Sequence, residues 1–308
     1  MQYYLTFTEG HGIRAPLFLE EDMILNDWVS LSKRAAFISH RLVGWVYWEP
    51  HGIERYAALG VPNGFGYYVT TRAGLLGKAG PDVVAAAYYS IHPDFIKASY
   101  DHLSLVGTVE DAMWIRDEAV LHGLQKYVPD ICGDLSSMAC DLWEAAESLP
   151  ISGRLLFASQ LRHRRPDEPL LNAWLAINCI REWRGDTHWA IQIADGLSGT
   201  ESGVLDGAWR GYDDDWLPRS RGADDTMLEK AYFTLEQRGF AKDGKVTDEG
   251  ITHRLMLETR LDEATTPAWQ YFGEEKTTRL IDLVDSIGEV LMERIDETAG
   301  KKWMPAAR

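Results

Sequence analysis

The sequence predicts a mainly α protein, with a multi-helix N-terminal and central region, a compact C-terminal unit and a long final helix. Three observations carry this. Residues such as Leu171, Trp174, Leu175 and Asn178 stack at helical spacing. Proline at starts and glycine at ends punctuate these periodic runs. Only two short segments, 65–71 and 240–247, carry the aromatic, β-branched or turn character of extended chain.

In chain order, residues 1–27 mix apolar and acidic character without a period and are expected to form an arm docked on the body. A helix over 30–48 should end at Glu49-Pro50, because proline disfavours helix in the residue before it. A helical piece over 53–59 precedes the Gly60, Pro62, Gly64 and Gly66 turn cluster. Segment 65–71 reads as a strand or as an irregular run into 72–80. Pro81 opens a helix to 91, and His92-Pro93 ends it before a second over 94–103. Thr108 with Asp111 three residues on is a capping-box pattern opening 109–127. Amphipathic helices follow over 135–149 and 154–164.

Beyond the break at 166–169, a helix over 170–183 meets the densest polar stretch of the chain, IREWRGDTHWAIQIADG at 180–196. Gly185 is the natural breaker, with a second helix starting at His188 and capped by Asp186 or Thr187. The expected result is a polar elbow. A helix over 199–209 comes next, and the acidic stretch GYDDDWLPRSRG at 211–222 reads as a linker. The domain division expected is an arm at 1–27, a helical part with a pocket at 28–210, a linker at 211–222 and a final unit at 223–308.

In that final unit, Thr226 and Glu229 form a T-x-x-E cap, and Leu228, Ala231, Tyr232 and Leu235 share one helical face. A ribbon turns at Asp243-Gly244, helix resumes over 248–261, and a long helix covers 274–297. Helix, glycine, ribbon and helix make the tail of a winged helix-turn-helix. The stretch LEKAYFTLEQRGFAKDGKVTDEG resembles this region of MarR-like regulators, in which the helix before the ribbon enters the major groove.

Charge argues against that use here. The chain carries a formal charge of −16, and from Asp224 to Asp262 nine acidic residues oppose six basic ones. A duplex needs Lys and Arg against phosphate, so DNA is disfavoured as a partner. A packing or homodimer role for this unit fits better. The same acidity disfavours anionic membranes, and no apolar run is long enough to span one. Three cysteines make neither a disulfide framework nor a zinc pattern. With nothing like a signal peptide in MQYYLTFTEG, the expected compartment is the cytoplasm.

The polar stretch and the C-terminal unit together resemble a bacterial helix-turn-helix family. Its members carry an R-x-x-R-G-D-G-H motif, an earlier E-P-x-H motif and a MarR-like C-terminal part. The first appears here as Arg181, Arg184, Gly185, Asp186 and His188, with Thr187 in place of glycine. The second appears as Glu49, Pro50 and His51, with the histidine one position early. Arg72–Gly77 looks like the family's arginine- and glycine-rich segment. The resemblance covers about 30–291.

Candidate chemistry centres on these positions. His188 with Asp186 suits a carboxylate-oriented general base, and Glu49 with His51 forms a second catalytic candidate. Arg181, Arg184, Trp183, Tyr67, Arg72 and His92 are the candidate ligand-binding residues, since large rings and guanidiniums line organic-ligand pockets. Twelve tryptophans suit either such a pocket or the filling of a helical core. No histidine spacing supports a metal, no Gly-Lys-Ser/Thr loop supports a nucleotide, and the sequence identifies no cofactor. The expected function is small-molecule binding, extending to an enzyme of a specialised pathway. The alternative is a ligand-responsive MarR-like regulator.

Overall fold

The computed structural model describes residues 18–61 and 64–308, with side chains from 27 onward. The first 17 residues of the expected arm lie outside the described residues. Helix α1 (Phe18–Gly44) runs into a 3₁₀ turn, Trp45–Trp48, and α2 (Pro50–Ala58) starts at Pro50, three residues before the helical piece expected over 53–59. Next come α3 (Gly64–Ala73), α4 (Pro81–Ala87), α5 (Pro93–Val106) and α6 (Val109–Tyr127). The Thr108–Asp111 capping box is present, each side chain bonding the other's backbone N–H.

Segment 65–71 is neither strand nor irregular: it is α3. Its threonines suit helix in this setting, because the Thr70 and Thr71 hydroxyls donate back to the Gly66 and Tyr67 carbonyls at 2.8 and 2.6 Å. Burial of Tyr67 and Val69 against α5 and α6 then overrides their β preference.

Helices α7 (Cys132–Ser137), α8 (Ala139–Ser148) and α9 (Leu155–Leu161) wrap the axis of the molecule, α10 (Pro169–Ala194). That helix is continuous, so there is no elbow at Gly185. A glycine inside a helix costs only about 1 kcal/mol relative to alanine. Ile180, Arg181, Glu182, Trp183, Asp186 and Thr187 are all buried on its two sides, and burial of that extent outweighs one weak residue. From Leu170 to Trp183 every residue but Asn172 is buried, as in a core helix. Trp174 and Trp45 both donate their indole N–H to the Leu42 carbonyl, at 3.0 and 2.9 Å, locking α10 to the end of α1. Gly123 of α6 faces the Trp45 ring, where a β-carbon would lie 2.2 Å from it.

The chain continues through α11 (Gly199–Trp209), α12 (Trp216–Ser220), α13 (Asp225–Gln237), strands β1 (Ala241–Lys242) and β2 (Lys245–Val246), and α14 (Asp248–Ala264). The stretch expected as a linker therefore contains α12, with Leu217 and Pro218 buried. The cap of α13 is Asp224, accepting the Met227 N–H at 2.8 Å, so Thr226 lies inside the helix rather than at its cap. The ribbon pairs Ala241 with Val246 and turns at Asp243-Gly244, both at positive φ. Leu205, Leu228, Leu235 and Leu257 form the core of this unit.

Helices α15 (Thr266–Phe272), α16 (Glu274–Asp285) and α17 (Gly288–Thr298) close the fold. The long final helix is thus two helices. Its break falls where Gly288 meets Arg41, whose Nη1 would lie 2.7 Å from a β-carbon there and pairs with Glu289 at 2.8 Å. No helix among the described residues is long and apolar enough to cross a membrane.

Candidate functional site

On a continuous helix the dense stretch of α10 is spread over several faces. Residues 181, 184 and 188 share one side, and 182 and 186 another, because positions three and four apart are neighbours while i and i+2 are not. Asp186 therefore does not orient His188. Its Oδ2 accepts the Phe157 N–H at 2.9 Å, anchoring α9. Burial pushes its carboxyl up to about 7, against the lowering by that hydrogen bond. Such a raised acid has a stabilising protonated form in the folded state, and stability falls as pH rises from the unfolded value through 7. Asp186→Asn is expected to raise stability by about 1–2 kcal/mol at pH 8 and to change little at pH 4. Urea unfolding at both values checks this, and equal shifts at the two would refute it.

The buried centre joins α3 to α10. Glu182, fully buried, receives the Arg72 fork at 2.8 and 3.0 Å and Arg181 Nη1 at 2.6 Å. Burial alone would raise the Glu182 pKa, but the two guanidiniums outweigh it and hold it below the usual range. Arg72 Nη1 donates to the Tyr68 hydroxyl at 2.6 Å, and its guanidinium lies 5.7 and 5.5 Å from the Tyr68 and Tyr88 ring centroids. Arg181 Nε donates to His40 Nδ1 at 3.2 Å. Burial, then Arg181, depresses the His40 pKa, so its ring is neutral with Nδ1 as acceptor. The Tyr47 hydroxyl is buried without a partner, and burial pushes its pKa to about 12.

The other side of α10 faces the C-terminal unit. Arg184 reaches Thr265, Glu258 and Asp262 at 2.7, 2.9 and 2.6 Å. The crevice beside His40, Arg181 and Arg184 is about 10 Å³, room for a water rather than an organic ligand. His188 stacks edge-on to Trp189 at 5.0 Å. Burial, then Arg254, lowers its pKa to about 4, leaving a neutral imidazole. Asp206 is held at about 2 despite burial, by Arg210 and Arg254.

Beside Tyr68 runs a ladder of half-buried rings. Tyr68 lies 5.8 Å from Trp48, Trp48 lies 5.5 Å from Trp303, and Trp303 lies 5.2 Å from Trp216. The ladder joins the N-terminal half to α12 through the chain's last residues. Trp216 and Trp303 escape a sequence reading, since nothing in their spacing links them to Trp48.

Helix α12 leads through the turn from Arg221 to Asp224 into α13, which the two-stranded ribbon follows. A family model described as a helix-turn-helix family matches residues 32–297. The chain belongs to that helix-turn-helix family. No curated protein and no solved structure matches it. In this family member, the outer side of α13 exposes Asp225, Glu229 and Glu236 beside Lys230, with Phe233 64% exposed among them. Lys242 and Lys245 are exposed on the ribbon.

The remaining candidates lie in other settings. Glu49, 1% exposed, accepts from the Tyr127 hydroxyl at 3.2 Å, and its Oε2 has no partner. His51 stacks on His122 at 4.4 Å, and His122 Nδ1 lies 3.9 Å from Glu49. His122 stands in no spacing pattern with Glu49 or His51, and only the fold brings it to them. Among the described residues no hydrogen bond or ion pair links this cluster to Arg181, Arg184 or His188. Tyr67 is core, fully buried against Gly52, its hydroxyl without a partner. Trp183 donates its indole N–H to the Pro150 carbonyl at 3.2 Å. His92 caps α5, with Nδ1 accepting the Asp94 N–H at 3.2 Å. Among the described residues, no group of three or more His, Cys, Asp or Glu side chains could hold a metal ion.

Proposed function

We propose that the protein binds a small organic molecule beside the Tyr68–Trp48–Trp303–Trp216 ladder, and that its helix-turn-helix serves as a packing element. The observation that carries this reading is the conjunction of four half-buried rings with a buried arginine cluster held by Glu182. Flat rings supply contact area at low entropic cost, and a few fixed polar groups supply orientation. Tyr68 joins the earlier candidate Arg72 as ligand-facing, and Arg184 and His92, bound to partners elsewhere, leave the set. If the molecule is turned over in a specialised pathway, the neutral His188 imidazole is the group to replace. His188→Ala should then abolish turnover while leaving the fold intact. A thermal-shift screen of small aromatic metabolites tests binding. The reading predicts stabilisation by at least one class and loss of that stabilisation in Trp48→Ala, whereas a library without any stabilising compound would overturn it.

Membership of a helix-turn-helix family favours a second reading, a ligand-responsive MarR-like regulator that dimerises on DNA. The acidic outer side of α13 weighs against it, since each carboxylate there faces phosphate. The expected result is no mobility shift of duplex DNA even at about 50 mM salt, where electrostatic binding is strongest. A salt-sensitive shift lost in Lys242→Glu/Lys245→Glu would establish the regulator instead.

A further inference from the structure

The turn between α12 and α13 is seated on the N-terminal half. The His92 N–H donates to the Arg221 carbonyl at 2.8 Å. Gly222, at φ +97°, packs so tightly that a β-carbon there would lie 2.7 Å from His92 Cβ. Only glycine suits both that backbone and that approach. Seated this way, the Arg221 side chain lies within electrostatic reach of Asp206, Tyr68, Arg72 and Arg210.

The other arginines here are satisfied. Arg72 holds Glu182, Arg210 holds Asp206, and Arg254 holds Asp206 and Glu258. Among the described residues Arg221 has no side-chain hydrogen bond or ion pair. A partly buried guanidinium without a bonded anion is unfavourable, and burial lowers its pKa even with Asp206 acting to raise it. Arg221 also closes α12, the helix that Trp216 of the ring ladder opens. The helix that ends at this unbonded cation thus begins at a ring of the ladder. A second polar orphan, the Tyr47 hydroxyl, belongs to a ring 5.1 Å from that of Tyr68.

We propose that Arg221 recognises the carboxylate of an aromatic acid whose ring packs on Tyr68 and the Trp48–Trp303–Trp216 ladder. This rests on the small-molecule reading and names the ligand class. A single free guanidinium fork matches the two oxygens of a carboxylate. Asp206 and Glu182 nearby oppose a dianion, which disfavours a phosphate monoester. Because Arg221 stands three residues before the Asp224 cap of α13, the ligand also fastens the turn between α12 and α13.

The probe is 2-naphthoate, titrated into the full chain by calorimetry, with naphthalene-2-carboxamide as its uncharged counterpart and inorganic phosphate as competitor. The expected results are naphthoate binding about tenfold or more tighter than the amide, no competition by millimolar phosphate, and slowed amide exchange over 221–228. Arg221→Gln should lose that tenfold for naphthoate, bind the amide as the natural protein does, and melt no lower than the natural protein, since the side chain has no bonded partner to lose and its buried charge is unfavourable. Arg221→Lys, charged but without the fork, should fall between. Equal naphthoate affinity in Arg221→Gln would remove Arg221 from the site and leave the ladder as a neutral-ligand site. Absence of naphthoate binding overturns the aromatic-acid assignment, whereas the small-molecule reading falls only with the wider screen.

Discussion

Glu182→Gln is expected to destabilise the protein by about 3–5 kcal/mol at pH 7, the range for removing one partner of a buried charge pair. Glu182 is fully buried and is the only carboxylate bonded to either Arg72 or Arg181 among the described residues. Glutamine can still accept one hydrogen bond, but two guanidiniums would share no anion. The direction of the pH effect follows from its depressed pKa. A carboxylate held below its unfolded value contributes stability above that value, about 4.3, and loses it as pH falls through the folded pKa. The natural protein should therefore approach the variant in stability as pH falls below about 4, the gap being widest at neutral pH. Denaturant titrations at pH 7 and 4 measure this. A loss under about 1 kcal/mol at pH 7 would mean that water reaches the arginines. Glu182→Asp, which keeps the charge and shortens the reach, should lose less than Glu182→Gln.

This network explains why the site is only half legible in sequence. The polar density of α10 is visible there, and its buried carboxylate and arginines are at the centre of the molecule. What the sequence could not supply is direction. Read as an elbow, Asp186 and His188 share a corner; on a continuous helix they point to α9 and to the C-terminal unit. Nor does any local pattern tie Arg72 to Glu182 across 110 residues, or Trp48 to Trp303. Local chemistry is legible where it is self-contained. The Thr108–Asp111 box and the Asp243-Gly244 turn each need only a few neighbouring residues. The pattern misleads where a distant partner decides: α5 and α6 burying α3, or Arg41 meeting Gly288 and splitting the last helix.

Arg184→Ala should loosen the helix-turn-helix unit from the axis of the fold. Its guanidinium bonds Thr265, Glu258 and Asp262, and through them it holds α10 against α14. Glu258 keeps Arg254 as a partner at 2.7 Å, whereas Asp262, 4% exposed, loses its only bonded cation among the described residues. A loss of about 3 kcal/mol at pH 8 is expected for a buried carboxylate left unpaired. Burial already raises the Asp262 pKa even with Arg184 lowering it, so removing Arg184 raises it further. An acid with a raised folded pKa costs stability as pH climbs from its unfolded value through the folded one, so the deficit should be smaller at pH 5 than at pH 8. Asp262→Asn in the Arg184→Ala background removes the stranded charge and should recover part of the loss. Amide exchange supplies the structural readout, because α14 should open before α10 if Arg184 is the clamp. Unchanged exchange in α14 would show that the apolar contacts of Leu257 and Leu261 hold the two units together without it.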